Sequence, residues 1–288
     1  KPTVNTEFTG ANYVYTATYK GSPYNFFTNI NTEALTITGN TSATNAGTYT
    51  VIVTPKNGYV WSEFENNNTE EVTFTFKIEK REITVNIDDK TSVYGAAIVQ
   101  PTATTTDDVA NADGLYNIIA LSAGITTTTA VGDYLITGAL KNTEKANNYT
   151  VNFVGSLQNG TAGKYTITNA TISDVVVTPY SGTYDGVEHP VTTSVTAETV
   201  NNQQITVEYK TNNGVWTSTI PTITNAGSVT FNVRISAPNH ATLTLTESYT
   251  ATINKATPTA TLTIVAESPR APGLIEHGDT LIANITLT

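Results

Sequence analysis

The sequence predicts an all-β chain of tandem small β-sandwich modules, Ig-like or β-grasp-like, arranged as an elongated rod. Three observations predict it. Apolar and polar residues alternate in runs such as TFTFKI at 73–78, ITVNI at 83–87, SDVVVT at 173–178, TFNVRI at 230–235 and TATLTI at 259–264, with Gly, Asn and Pro clusters between them. Period-two runs of this length read as strands with one face buried. Only 13% of residues are charged, against a usual ~25%, so uncharged Thr and Asn must supply the polar surface. Thr is stiff at χ1 and suits a pleated, half-buried surface. Finally, a set of three short features returns in the same order along the chain, the mark of a repeated unit.

The first feature is a Tyr-Gly turn followed by a Pro: Tyr19-Lys20-Gly21 before Pro23, Tyr94-Gly95 before Pro101, and Tyr184-Asp185-Gly186 before Pro190. The second is TNAGTYTV at 44–51, matched by TNAGSVTF at 224–231, with AVGDYLIT at 130–137 between them. The third is a closing strand centred on Ile78, Ile167 and Ile253. These place module 1 at 1–80, module 2 at 81–169 and module 3 at 170–256. Residues 257–288 read as two strands around a turn, the start of a further Ig-like module, whose unpaired edges predict packing on module 3 or on a neighbouring molecule. One stretch departs from β character. ADGLYNIIALSA at 112–123 predicts a short helix or turn across the sheet of module 2, which would bring that module nearer a β-grasp than a plain sandwich.

Composition excludes several functions. The net charge is −10, and a phosphate backbone needs clustered Lys and Arg, so nucleic acid is not an expected partner. There is no Cys, hence no disulfide framework and no thiolate metal site. The lack of a Met at position 1 predicts a segment of a longer protein. No apolar run spans a bilayer, and no signal peptide or lipidation motif is present, so membrane insertion of this segment is not expected.

Module 2, with ITVNIDDKTSVYGAAIVQP, AVGDYLITG, NNYTVNFVG and KYTITNA in order, resembles the bacterial surface repeat called the MBG domain of the YGX type. Modules 1 and 3 resemble related tandem modules, and residues 257–288 resemble the start of a bacterial Ig-like domain. Module 2 departs from the other two in having Val-Gly-Asp where they have Asn-Ala-Gly. The resemblance implies an extracellular, bacterial cell-surface stalk or adhesin, and it implies no catalytic residue.

Tyr184-Asp185-Gly186, with Glu188 and His189 nearby, could suggest an active-site lip. Gly takes positive φ freely and Asp bonds nearby backbone, so a turn explains the stretch better. His189, His240 and His277 lack metal-ligand spacing. Asp107, Asp108, Asn111 and Asp113 shadow a calcium loop without its closing Glu, and Asp88-Asp89 could join a cation; solvated turn carboxylates are the competing reading. No cofactor is expected. Trp61 and Trp216 each follow an Asn-Gly turn, which suggests hairpins. Both rings are candidates for core packing, and they are also the candidate ligand contacts should they prove exposed. The sequons at Asn40, Asn67, Asn148, Asn159, Asn169 and Asn284 are read as polar loop and strand residues. Lys20, Lys80, Lys164, Lys210 and Lys255 could supply an amine to a Lys–Asn cross-link, though no privileged triad stands out.

The function expected is therefore mechanical and non-catalytic: a monomeric spacer in which one module's last strand leads almost directly into the next module's first, without a flexible Gly/Ser linker. The alternative is that the repeats themselves bind a host glycan or protein.

Overall fold

The computed structural model describes residues 3–4, 13–27, 31–61, 69–211, 214–266 and 281–287. About 54% of the described residues are strand and 7% helix, so the fold is all-β. The chain divides into two compact units, Lys1–Thr168 and Asn169–Thr288.

The first unit holds two copies of one sheet. In the first copy, β1 (Tyr13–Thr18), β2 (Leu35–Gly39), β3 (Gly47–Pro55) and β4 (Val72–Glu79) form a sheet in the order β1-β4-β3-β2. The first strand runs parallel to the last, and the Ala-Gly strand β3 runs antiparallel to it. Val51, Val53, Phe74 and Phe76 alternate inward and pack with Ala34, Leu35 and Trp61. β3 and β4 thus bury alternate side chains, as period two requires.

The second copy follows after a single residue, Lys80. Its strands are β5 (Arg81–Ile87), β6 (Lys90–Val93), β7 (Ile119–Ser122), β8 (Gly132–Leu140), β9 (Tyr149–Val154) and β10 (Gly163–Thr168). One layer has the order β6-β10-β8-β7; the other is β5 between Ala103–Thr104 and β9. Two helices, α1 (Asp108–Asp113) and α2 (Leu115–Ile118), precede β7. α2 lies within the stretch 112–123 where a short helix or turn is expected, while α1 starts before that stretch and the end of the stretch is strand. The Asp107 carboxylate accepts a hydrogen bond from the Ala110 N–H at 2.9 Å and caps α1, starting the helix earlier. Gly114, at φ 83°, breaks it after Asp113, and from Ile119 the chain pairs with β8 as strand.

The second unit repeats the sheet once more. Its strands are β11 (Ser173–Pro179), β12 (Ser181–Thr183), β13 (Thr192–Glu198), β14 (Thr206–Thr211), β15 (Gly227–Ser236) and β16 (Tyr249–Asn254). The order β12-β16-β15-β14 matches the two copies in the first unit, and β11 pairs with β13 in a facing pair. Phe231, Val233, Ile235, Val191 and Ala251 are fully buried in its core. Further on, β17 (Ala260–Ala266) and β18 (Leu281–Leu287) form an antiparallel hairpin.

The three copies agree in register as well as order. The closing Ile78, Ile167 and Ile253 lie opposite Gly47, Gly132 and Gly227 on one side. On the other side they lie opposite Ala17, Ser92 and Gly182, a run of small residues.

Candidate functional site

The Tyr-Gly features end the first strand of each sheet. The backbone N–H of Tyr19 donates to Glu79 O at 2.9 Å, that of Tyr94 to Thr168 O at 2.9 Å, and that of Tyr184 to Asn254 O at 2.8 Å. The glycines that follow have φ of 74° (Gly21), 80° (Gly95) and 79° (Gly186). That left-handed region is where glycine costs least. The stretch around Tyr184 is therefore a turn. The Asp185 carboxylate accepts from the Val187 N–H at 2.9 Å, and His189 Nε2 lies 3.0 Å from it. Those bonds, the backbone one first, hold the exposed Asp185 carboxyl below its ordinary value. Glu188 accepts a bond from the Thr222 hydroxyl.

The first of these turns supports a larger arrangement. Tyr19 is buried, and its hydroxyl donates to Asp113 Oδ2 at 2.7 Å. The Tyr149 hydroxyl, at the start of β9, donates to the same oxygen at 2.7 Å. Lys145 Nζ pairs with Asp113 Oδ1. One carboxylate thus binds a ring of the first copy to a ring of the second, and the two rings meet edge to face at 5.4 Å. Burial pushes the Asp113 carboxyl up, but Lys145 and the two hydroxyls outweigh it and hold the group below its usual range. Burial, and then the bond to Asp113, raise Tyr19 to about 12 and push Tyr149 up as well. Gly21 completes the fit. A Cβ there would lie 3.2 Å from Val109 Cγ1, in a backbone conformation that L side chains rarely adopt.

The Asn-Ala-Gly feature supplies the second half of the joint. The Ala46 N–H donates to Asn148 Oδ1 at 2.6 Å, and Asn148 Nδ2 donates to Asn45 Oδ1 at 3.1 Å. Asn45 Nδ2 donates to Glu144 Oε1 at 2.7 Å. Arg81 adds a third tie. Its Nε donates to Asp107 Oδ2 at 2.7 Å while its guanidinium reaches Tyr19 O at 3.5 Å. Asn148, read from sequence as a sequon in polar chain, is 1% exposed and fully engaged in this joint.

The remaining candidates fall elsewhere. Trp61 is 2% exposed in the first core, with Nε1 donating to Glu70 O at 2.8 Å. Its indole is packed in the core, so the exposure on which its reading as a ligand contact depends is absent. Nor does the Asn57-Gly58 turn make a hairpin: Val60–Trp61 pairs in parallel with Thr3–Val4. Trp216 is half-buried, and the Arg234 guanidinium lies 4.8 Å over its ring. Asp107 and Asp113 are spent on the cap and the joint. Asp88 accepts from the Thr102 hydroxyl, and Asp89 from the Ser156 hydroxyl and the Lys164 N–H. Among the described residues no three His, Asp or Glu side chains gather as a metal site. His240 is buried, accepting from the Val200 N–H at 2.9 Å; His277 lies outside the described residues. The lysine that meets a buried carboxylate is Lys145, which was not among the five considered for a cross-link.

No family model matches the chain, and no curated protein does. Solved structures with some likeness include Drosophila N-cadherin EC1-3, at 8% identity and a TM-score of 0.24, over 89% of this chain and 99% of that one. Drosophila N-cadherin EC1-4 is similar at 9% identity and a TM-score of 0.22, over 86% of this chain and 75% of that one. The Bacteroides ovatus mixed-linkage glucan utilization locus SGBP-B, solved with a mixed-linkage heptasaccharide, aligns at 15% identity and a TM-score of 0.14, over 95% of this chain and 73% of that one. Likenesses at TM-scores this low carry no argument about what the chain does.

Proposed function

We propose that the chain is a non-catalytic spacer segment of an extracellular, adhesin-like bacterial surface protein, built from modules of the MBG kind. The observation that carries this reading is the joint around Asp113. Two copies of one sheet are separated by a single residue and locked by a shared buried carboxylate, an amide pair and an arginine tie. A flexible connection needs a solvated linker; this joint instead removes freedom between neighbours. Among the described residues, the carboxylates and histidines that could suggest chemistry are bound up in caps, turns and the joint. The low-charge, net-negative surface suits a protein that must stay dispersed.

Small-angle scattering on the 288-residue chain tests the reading. A compact globule of that length has a radius of gyration of about 19 Å. The spacer reading expects a clearly larger value and a long-tailed distance distribution. A value at the globular figure overturns it. The second reading, that the modules themselves bind ligand, is favoured by one observation: an open aromatic cleft in the first copy.

A further inference from the structure

The cleft lies on the inner face of the first sheet. Tyr15 pairs with Phe76 and Ala17 with Ile78 across β1 and β4, so these four side chains share that face. The Tyr15 ring stacks on Phe76 at 5.2 Å with 17° between planes, and Phe26 stacks on Phe76 at 4.2 Å and 9°. Tyr24, Asn25 and Phe26 form the opposite wall around a cavity of about 180 Å³. Tyr15 is 51% exposed although it stands in an inward-facing row. A large aromatic ring left half in water beside a cavity is a conspicuous loss of burial.

The other two copies close the same place. In module 2 the equivalent pair is Lys90 and Tyr165; Tyr165 is fully buried, and its hydroxyl accepts from the Val99 N–H at 2.8 Å. In module 3 the residue equivalent to Tyr15 is Tyr180, and His189 covers its ring at 4.4 Å and 14°. His189 stands where Tyr24 stands in the first copy, two strands that pair alike with the stretch before the Ala-Gly turn. In the first copy Tyr24 is committed elsewhere: its hydroxyl donates to Thr18 O at 2.7 Å and Lys20 sits 4.1 Å over its ring.

We infer that this cleft is a binding site for one ring of a neutral hexopyranose oligosaccharide. The apolar C–H face of a pyranose matches the open Tyr15 ring, and a cleft of about 180 Å³ suits one ring rather than a long acyl chain. The rim carries the exposed Asn25, whose amide can bond a sugar hydroxyl. The net charge of −10 disfavours an acidic sugar. The inference is independent of the spacer reading, since a spacer can carry a ligand site and a binder need not be elongated.

Calorimetric titration of the whole chain with cellohexaose and, separately, maltohexaose tests it. Saturable binding of at least one is expected at millimolar strength or better. Tyr15→Ala is expected to weaken it at least tenfold, Tyr15→Phe to keep it within about threefold, and Tyr180→Ala and Trp216→Ala to leave it unchanged. Saturable shifts of the Phe26 and Phe76 ring resonances in the unmutated chain locate the sugar even if a variant folds poorly. No saturable binding of either hexasaccharide up to about 10 mM overturns the inference, and so does binding that Trp216→Ala abolishes while Tyr15→Ala spares it.

Discussion

Tyr19 and Tyr184 occupy one backbone position in two copies of one sheet, yet their side chains live in different surroundings. Both donate a main-chain bond to the closing strand, and both precede a glycine of positive φ. Tyr19 is 1% exposed and bonded to Asp113; Tyr184 is 44% exposed. Around Tyr19 the joint also takes in Asn45 and Ala46, whereas Tyr184, Ala226 and Lys255 line an open, shallow hollow. The repeat therefore specifies where the ring stands, and the neighbouring module decides what the ring does.

Removing the carboxylate should break that contrast most strongly. Asp113→Ala strands two buried tyrosine hydroxyls and frees Lys145. Thermal or urea unfolding should show a loss of about 3 kcal/mol, because unpaired buried polar groups bear their full desolvation cost. A loss under about 1 kcal/mol would mean the joint is wetter than its burial implies.

Paired tyrosine variants sharpen the comparison. Tyr19→Phe should cost about 1 kcal/mol by losing one charge-assisted bond, while Tyr184→Phe should stay within about 0.5 kcal/mol of the parent. Equal costs, read from urea midpoints, would show that the ring's position rather than its partner matters.

A third effect is one of pH. Tyr19 is raised above its unfolded value of 10.0 to about 12. A group raised on folding lends stability that is complete below the unfolded pKa and lost as pH rises through the folded one. Unfolding midpoints followed upward from pH 9 should fall between about pH 10 and 12, and Tyr19→Phe should flatten part of that fall. The Asp113 carboxyl, lowered by its donors, has the opposite sign: its contribution is present above the ordinary carboxylate range and fades in strong acid.

Much of the fold could be read without coordinates. Alternation identified the strands, and the ordered recurrence of Tyr-Gly, Ala-Gly and Ile identified three copies, since turns and inward faces impose local residue preferences. The joint could not be read in that way. Tyr19 and Asp113 are 94 residues apart, and no local pattern says that a carboxylate will meet a ring that far along the chain. The run from Asp107 to Asp113 instead resembled an ion loop. An Asp three residues before Ala110, with Gly114 beyond, was an available sign of a capped short helix, and it would have marked Asp113 as the residue at that helix's end. The open face of Tyr15 was equally hidden: alternation places the ring inward and cannot tell whether anything closes over it.

Each copy joins the strand that ends in its Tyr-Gly turn to its last strand in parallel: six residue pairs between β1 and β4, four between β6 and β10, three between β12 and β16. Tension applied at the two ends of a copy drags such strands past one another in shear, so their hydrogen bonds must yield together rather than unzip singly. In the second copy the chain enters instead on β5, which runs parallel to β9 over six pairs, so its entry strand too is loaded in shear.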